Sequence, residues 1–329
     1  MTCKVCGNEE GNIPYTAREM MYGTREAFPY FQCKSCACLQ ILEFPENMRP
    51  HYPRRYYSLE IYDGRKFKGL AGQFRKLQYR ASVFPSGVLA ALLNGVLGKR
   101  EYWVFEGLGV AQKSRILDVG CGNGRSFLYP LAEIGFVGLM GCDPFLEQDI
   151  HYANGLRIRK GSVHEMSGTW DVITYHHSFE HVADPQAQLN RVAELLAPGG
   201  LCIIRIPTVS SWAWEHYRTN WAQLDAPRHF FLHSRESMER MAAQAGMELY
   251  GVVYDSNHFQ FSGSEKLVND VPLSAPCTPG LVNAVKRKIK KMGYARRARQ
   301  LNRSGRGDQA AFFFRRPTAI NPGAGPCRN

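Results

Sequence analysis

The segment R-I-L-D-V-G-C-G-N-G, Arg115 to Gly124, decides how the rest of the chain is read. Arg115 to Val119 is a short apolar, β-branched run suited to a buried parallel strand, and Gly120, Gly122 and Gly124 follow it directly. Glycine is required where a strand turns sharply into a helix and a ligand lies against bare backbone, because a Cβ there blocks the approach. Ser126 to Ile134 reads as that helix. A strand, a glycine turn and a helix in this order specify an α/β class of fold.

G-C-G-N-G is not the G-x-G-x-x-G dinucleotide fingerprint, so the context must identify the ligand. A second apolar run, Phe136 to Cys142, ends in Asp143, where a carboxylate at a strand tip accepts both hydroxyls of a ribose. Asp118, at the end of the first strand, suits a cationic or amino-bearing ligand rather than a phosphate. Together these residues resemble the class I S-adenosylmethionine (SAM)-dependent methyltransferases, whose first motif is an acid followed by G-x-G and whose second strand ends in an acid. The resemblance implies a Rossmann-like seven-stranded sheet, with Asp118, Gly120, Gly122 and Asp143 holding SAM.

Further along, Leu156 to Arg159 reads as the third strand and Asp171 to Tyr175 as the fourth. In the methyltransferases the loop after the third strand lies against adenine and often carries an acid; Ser162 occupies that place here. H-H-S-F-E-H-V follows the fourth strand, which places His176, His177, Glu180 and His181 near the sulfonium. Asp184-Pro185 starts a helix that Pro198-Gly199-Gly200 stops, and Leu201 to Ile206 is the fifth strand. The run L-L-A-P-G-G-L-C-I-I-R-I-P, ending at Pro207, extends the resemblance without a gap from Arg115. Met247 to Tyr254 and Ala311 to Arg315 read as the sixth and seventh strands, the seventh antiparallel between the fifth and sixth in this fold.

Between the fifth and sixth strands lies S-W-A-W-E-H-Y-R-T-N-W-A-Q-L-D-A-P-R-H-F-F-L-H-S, Ser211 to Ser234. Trp214 and Trp221 offer flat apolar walls for a substrate, Arg228 a fork for a carboxylate or phosphate, and His229 a base titrating near neutrality. The segment is similar to the W-x-x-x-D-x-P-R-H stretch of a bacterial group related to ubiquinone-type O-methyltransferases and found among glycan-modifying enzymes. In that group a zinc-ribbon-like head with two C-x-x-C pairs precedes a Y-Y-S connector. His229 is the first choice of base and His181 the second.

This chain carries such a head. Cys3-x-x-Cys6 and Cys33-x-x-Cys36 are separated by 26 residues, and four thiolates satisfy the tetrahedral demand of a structural Zn²⁺ in a reducing compartment. Cys38 is a spare that competes as a ligand. Tyr56-Tyr57-Ser58 lie in a proline- and tyrosine-rich connector.

At 329 residues, 44% hydrophobic and 21% charged, the chain has the composition of a globular protein with a substantial core. No secretory signal is evident, and the longest apolar run, Val83 to Leu97, is broken by proline and glycine, so a cytoplasmic location is expected. The net charge of +12 is concentrated in two places: ten Lys/Arg and no acid between Ala284 and Gly307, and eight Lys/Arg from Glu60 to Arg100. Such segments fit an anionic partner, whether a membrane surface, a nucleic acid or a phosphorylated substrate. Phe67, Leu70, Phe74 and Leu77 recur at helical spacing in the second segment, and Leu281, Val282, Val285, Ile289 and Met292 in the first.

The expected organisation is a zinc-ribbon-like domain (1–43), a connector and basic helical cap (44–107), the SAM-binding core (108–256), a basic helical insertion (257–309), the final strand (310–316) and a disordered tail (317–329). The expected activity is methyl transfer to a hydroxyl or carbon of a small-molecule or glycan acceptor, with nucleotide- and lipid-linked sugars as candidates. Docking on the inner membrane face is expected through 60–100 and 281–306. The alternative is a zinc-containing RNA methyltransferase, against which stands the absence of N-P-P-[YF] or a cysteine nucleophile after the fourth strand.

Overall fold

The computed structural model describes all residues except 53–58, 98–100, 277–278 and 319–329. The centre of the connector and the tail from 319 onward, read above as disordered, lie outside the described residues.

Among the described residues twelve strands form two sheets: β1 (Ile13–Arg18), β2 (Ala27–Gln32), β3 (Leu39–Ile41), β4 (Ile116–Val119), β5 (Leu139–Asp143), β6 (Ile150–His151), β7 (Arg157–Lys160), β8 (Trp170–His176), β9 (Leu196–Pro207), β10 (Phe231–Leu232), β11 (Glu248–Tyr254) and β12 (Gln309–Arg315). The helices are α1 (Gly69–Val83), α2 (Val88–Leu97), α3 (Leu128–Glu133), α4 (Pro185–Leu195), α5 (Trp212–Tyr217), α6 (Arg235–Gln244), α7 (Phe259–Val268) and α8 (Leu281–Arg303).

The large sheet runs β11-β12-β9-β8-β4-β5-β7-β6. Strands β7, β5, β4, β8 and β9 are parallel, while β12 is antiparallel to both β9 and β11. The methyltransferase order is therefore present, with one strand beyond the expected seven. Ile150–His151 pairs antiparallel with β7 at the edge, and two residues carry no periodicity by which a sequence could announce them. From β4 the chain winds first toward β5 and β7, then crosses back to β8 and β9. This reversal opens a crevice at the carboxyl ends of β4 and β8.

Side-chain alternation divides the core in two. Leu117, Val119, Ile173, Tyr175, Ile204, Phe312 and Phe314 face one side, together with Leu189 of α4 and Met238 of α6. Ile116, Val172, Ile203 and Phe313 face the other, packing with Leu128, Phe67, Tyr102 and Phe105. The first side also contains Cys3, Cys33, Cys36 and Phe31, so the cysteine head shares a core with the methyltransferase sheet.

The head is itself a sheet, β1-β2-β3-β10, whose last strand comes from the P-R-H-F-F-L-H segment nearly two hundred residues away. Phe231 pairs with Gln40 and Leu232 with Leu39. Tyr30 donates 2.8 Å to the His229 carbonyl, and Ser234, which caps α6, also donates to the Cys36 carbonyl. The ribbon read as residues 1–43 therefore borrows a strand from the core.

Of the stripe Phe67, Leu70, Phe74 and Leu77, only Phe67 is buried; Leu70 is 91% exposed. The buried residues of α1 are Gly72, Gln78, Ala81, Ser82 and Val83. The insertion contains α7 as well as α8, and α7 packs on the tryptophan segment through Ala222 N donating 3.0 Å to Ser264 Oγ.

Tyr30→Phe would leave the buried His229 carbonyl without its donor. The expected cost is about 1–3 kcal/mol, read from urea unfolding. An unchanged midpoint would mean that the hydroxyl contributes nothing to joining the two sheets.

Candidate functional site

The crevice begins with the turn after β4. Gly120, Gly122 and Gly124 have φ of 69°, 56° and 70°, the left-handed region that side chains rarely tolerate. A Cβ on Gly120 would lie 2.5 Å from the Ser178 Cβ, so this glycine also lets the loop after β8 close against the turn. Ser178 completes that contact by donating 2.7 Å to the Val119 carbonyl.

Two carboxylates border the turn. Asp118, 3% exposed, accepts 2.8 Å from Thr174 Oγ1, and burial together with the charge of Asp143 pushes it up to about 7. Asp143 accepts from Gly122 N at 2.8 Å on one oxygen and from Phe145 N at 2.9 Å on the other. Burial raises it above the ordinary range, and each oxygen keeps a second lone pair for a sugar hydroxyl. Thus Asp118, Gly120, Gly122 and Asp143 converge on one bare-backbone cradle. Ser162 follows β7, but its hydroxyl and backbone N–H both donate to Glu165, at 3.0 and 2.8 Å, which locks the loop on itself.

Beyond β8 lies a second polar group. His176 packs against Phe127, with ring centroids 4.1 Å apart, and burial lowers it to about 3, so it is neutral. His177 is exposed with φ of 53°, and its Nδ1 lies 3.6 Å from Glu180 Oε1. Glu180 is fully buried and neither carboxylate oxygen has a hydrogen-bond partner. Burial works to raise its pKa, but His177 and the His181 and His229 rings outweigh this and hold it at about 2. Burial also lowers His229 to about 4, so it is neutral at neutral pH.

His181 and His229 stand with ring centroids 4.8 Å apart. His181 Nδ1 lies 2.7 Å from the Arg228 carbonyl and His229 Nδ1 lies 2.8 Å from the Gln223 carbonyl. A carbonyl only accepts, so each Nδ1 carries the proton and each Nε2 presents a lone pair. His229 Nε2 is 3.9 Å from Glu180 Oε1 and 3.8 Å from Asp225 Oδ2.

The residues read as substrate contacts are placed elsewhere. Trp214 and Trp221 are buried, their indole N–H groups donating 3.2 Å to Gln32 and 2.9 Å to Asp308. They are core residues joining the segment to the ribbon and to the loop before β12. Arg228 is also buried. Its fork closes on both oxygens of Asp225, and its third nitrogen donates 3.2 Å to the His51 carbonyl, which leaves no open fork for an anion. The aromatic composition of the segment thus reflects packing. Asp225 was missed as a site neighbour, although its place three residues before Arg228 and four before His229 is the available signal.

In the head, Cys3, Cys6, Cys33 and Cys36 converge, with Sγ–Sγ distances of 3.6 Å for Cys3–Cys36 and 3.5 Å for Cys6–Cys33. Tetrahedral zinc with thiolates at about 2.3 Å demands separations of about 3.8 Å, so the four thiols fit the ion. The Cys36 thiol, donating to Cys3, pulls Cys3 down to about 4. Cys38 faces His233 at 3.8 Å and stands apart from the four.

Residues 100–251 match a protein family described as a methyltransferase domain. This segment is thus similar to the SAM-dependent methyltransferase domains. The ubiquinone biosynthesis O-methyltransferase of Caulobacter sp. (strain K31) is 38% identical over 30% of this chain and 41% of its own. The enzyme of the same name from Escherichia fergusonii is 30% identical over 40% of this chain and 52% of its own. The chain therefore spans about half, or less, of the length of these relatives. A solved SAM-dependent methyltransferase from Mesorhizobium loti is 16% identical, aligned over 68% of this chain and 100% of that one with a TM-score of 0.42.

In this methyltransferase domain, Asp118 would ionise to receive a cationic ligand, so binding should release a proton. SAM affinity is expected to rise from pH 6 to pH 8, as pH passes the value of about 7 that burial imposes. Titration calorimetry in buffers of different ionisation enthalpy measures the release, and Asp118→Asn should abolish it. A pH-independent affinity in the parent would separate Asp118 from the cofactor.

Proposed function

We propose that this chain is a SAM-dependent methyltransferase acting on a hydroxyl of a small-molecule acceptor, with sugars and lipid- or nucleotide-linked sugars as the substrate class and a carbon acceptor as the variant. When bound, SAM supplies an electrophilic methyl group with a neutral thioether as leaving group. The chain must align the acceptor, exclude water and take the acceptor's proton. Asp118 and the glycine turn would receive the methionine end and Asp143 the ribose.

One observation carries the hydroxyl assignment: the buried Glu180–His181–His229 cluster beside the turn, with two imidazole lone pairs available as proton acceptors. His229, held by the Gln223 carbonyl and neutral through burial, is the favoured base, with His181 second. The O-methyltransferase names of the relatives support this choice. The four cysteines are assigned to a structural Zn²⁺ whose closed shell leaves no position for chemistry.

The acceptor class is supported by α8. Tyr294 and Lys290 hold Glu265 of α7, Arg297 lies 4.0 Å over Trp212, and Ala298 is buried, which fixes one face against the body. Val282, Val285, Ile289 and Met292 are exposed, and the same spacing continues as the exposed Arg296, Arg299 and Arg303. An outward stripe that is apolar at one end and cationic at the other suits an anionic lipid surface. RNA binding would use the arginines but gives no reason to expose the aliphatic residues. Among the described residues no helix is long and apolar enough to cross a membrane, so a peripheral association with the inner membrane face is proposed.

His229→Ala should keep SAM affinity and lower turnover about 100-fold or more on a hydroxyl-bearing acceptor. Equal turnover in parent and variant would remove His229 from proton transfer. For the membrane reading, the parent should cosediment with vesicles containing anionic lipid and not with neutral ones. Replacing Val285 and Ile289 by serine should weaken the association at least tenfold. Equal binding to RNA and anionic vesicles by parent and variant would count against a lipid surface.

A further inference from the structure

We propose that Glu180, His181 and His229 form a divalent-cation site, a two-histidine, one-carboxylate set distinct from the four cysteines of the head. One carboxylate oxygen and one ring nitrogen from each histidine lie within 4.8 Å of one another. Both oxygens of Glu180 are buried without a hydrogen-bond partner, an arrangement that is costly for a carboxylate unless a cation compensates it.

The ring orientations sharpen the case. Because its Nδ1 donates to the Gln223 carbonyl, His229 turns its Nε2 toward two carboxylates. That nitrogen lies 3.9 Å from Glu180 Oε1 and 3.8 Å from Asp225 Oδ2. These distances are too long for hydrogen bonds. Two donors each about 2.0–2.2 Å from one ion, however, stand between about 3 and 4.3 Å apart.

Each imidazole is oriented by a backbone carbonyl on its other nitrogen, as metal-binding histidines commonly are. Asp225 is engaged by Arg228, and the exposed His177 at 3.6 Å from Glu180 is the nearest further donor.

Two imidazoles and a carboxylate suit Zn²⁺, Mn²⁺ or Fe²⁺ and leave coordination positions open on the crevice side. The role assigned to the ion rests on the hydroxyl reading above. An acceptor oxygen bound to the ion loses its proton to bulk water. It keeps the electron pair and forms the new C–O bond as the C–S bond of the sulfonium breaks, leaving a neutral thioether. The ion would thus act in place of a free imidazole base, and His229, the base favoured in the metal-free reading, would serve as its ligand.

The test uses the full chain with zinc in its head and Mn²⁺ as probe, because thiolates select zinc while nitrogen and oxygen donors accept manganese. Electron paramagnetic resonance titration should show one bound Mn²⁺ per chain. The near-isosteric Glu180→Gln and His229→Ala should each weaken it at least tenfold, with SAM affinity by calorimetry unchanged as the check on folding. Absence of bound Mn²⁺, or equal binding by parent and both variants, would overturn the site. Mn²⁺ binding that depends on both side chains, together with methyl transfer that is indifferent to the ion, would leave the site standing and remove its assigned role.

Discussion

The pairing of Phe231–Leu232 with Leu39–Gln40 is the constraint from which the arrangement of the site follows. Two residues of strand are a weak unit alone, each hydrogen bond adding only about 0.5–1.5 kcal/mol. Here they are reinforced from both ends. Tyr30 holds the carbonyl of His229 just before the strand, and Ser234 just after it donates to the carbonyl of Cys36. Phe230 donates 2.9 Å to the Glu180 carbonyl and accepts 2.9 Å from Ile41, tying the loop after β8 to the same strand. One short segment therefore touches the cysteine centre on one side and the acid–histidine cluster on the other.

This coupling explains how so many polar groups are buried so close together. A lone carboxylate such as Glu180 would normally be displaced toward solvent. Its surroundings are instead held by elements that cannot move separately: the turn after β4 closed on Ser178, the Asp225–Arg228 pair fixed to His51, and the ribbon strand. Asp143 plays a similar part on the cofactor side, since its carboxylate bridges the glycine turn and the backbone beyond β5. The glycine turn and the acid–histidine cluster are thus joined at Gly120 and Ser178.

Much of this was legible in the sequence where local pattern and burial agree. β4, β5, β8 and β9 are near-continuous apolar runs because both faces are covered, and their ends carry the glycines and acids that name the ligand. The four cysteines announced themselves by spacing. What sequence could not show were pairings across long separations: the β10–β3 ladder, the edge strand Ile150–His151, and the burial of Glu180. It also could not tell an aromatic wall from an aromatic core. Trp214 and Trp221 are as rich in contact area as any substrate platform, and only their indole partners Gln32 and Asp308 show which role they fill. The fork of Arg228 is occupied by Asp225, and the three-residue spacing between them is the signal that could have shown it.

The outward faces of the helices make the converse point. A stripe at helical spacing is normally read as the side that packs, yet Leu70, Phe74 and Leu77 are exposed. In α8 the packed face is polar and aromatic, built from Lys290, Tyr294 and Arg297 around Glu265 and Trp212. The ion pairs and ring contacts that seat α8 thus take the place of a hydrophobic face, and the aliphatic residues are released to the surface. Solvent alone gives no advantage to that exchange, since burying the aliphatic side would stabilise the fold by the ordinary hydrophobic term. It would become favourable if the outer face met an apolar, anionic phase, as the membrane proposal requires.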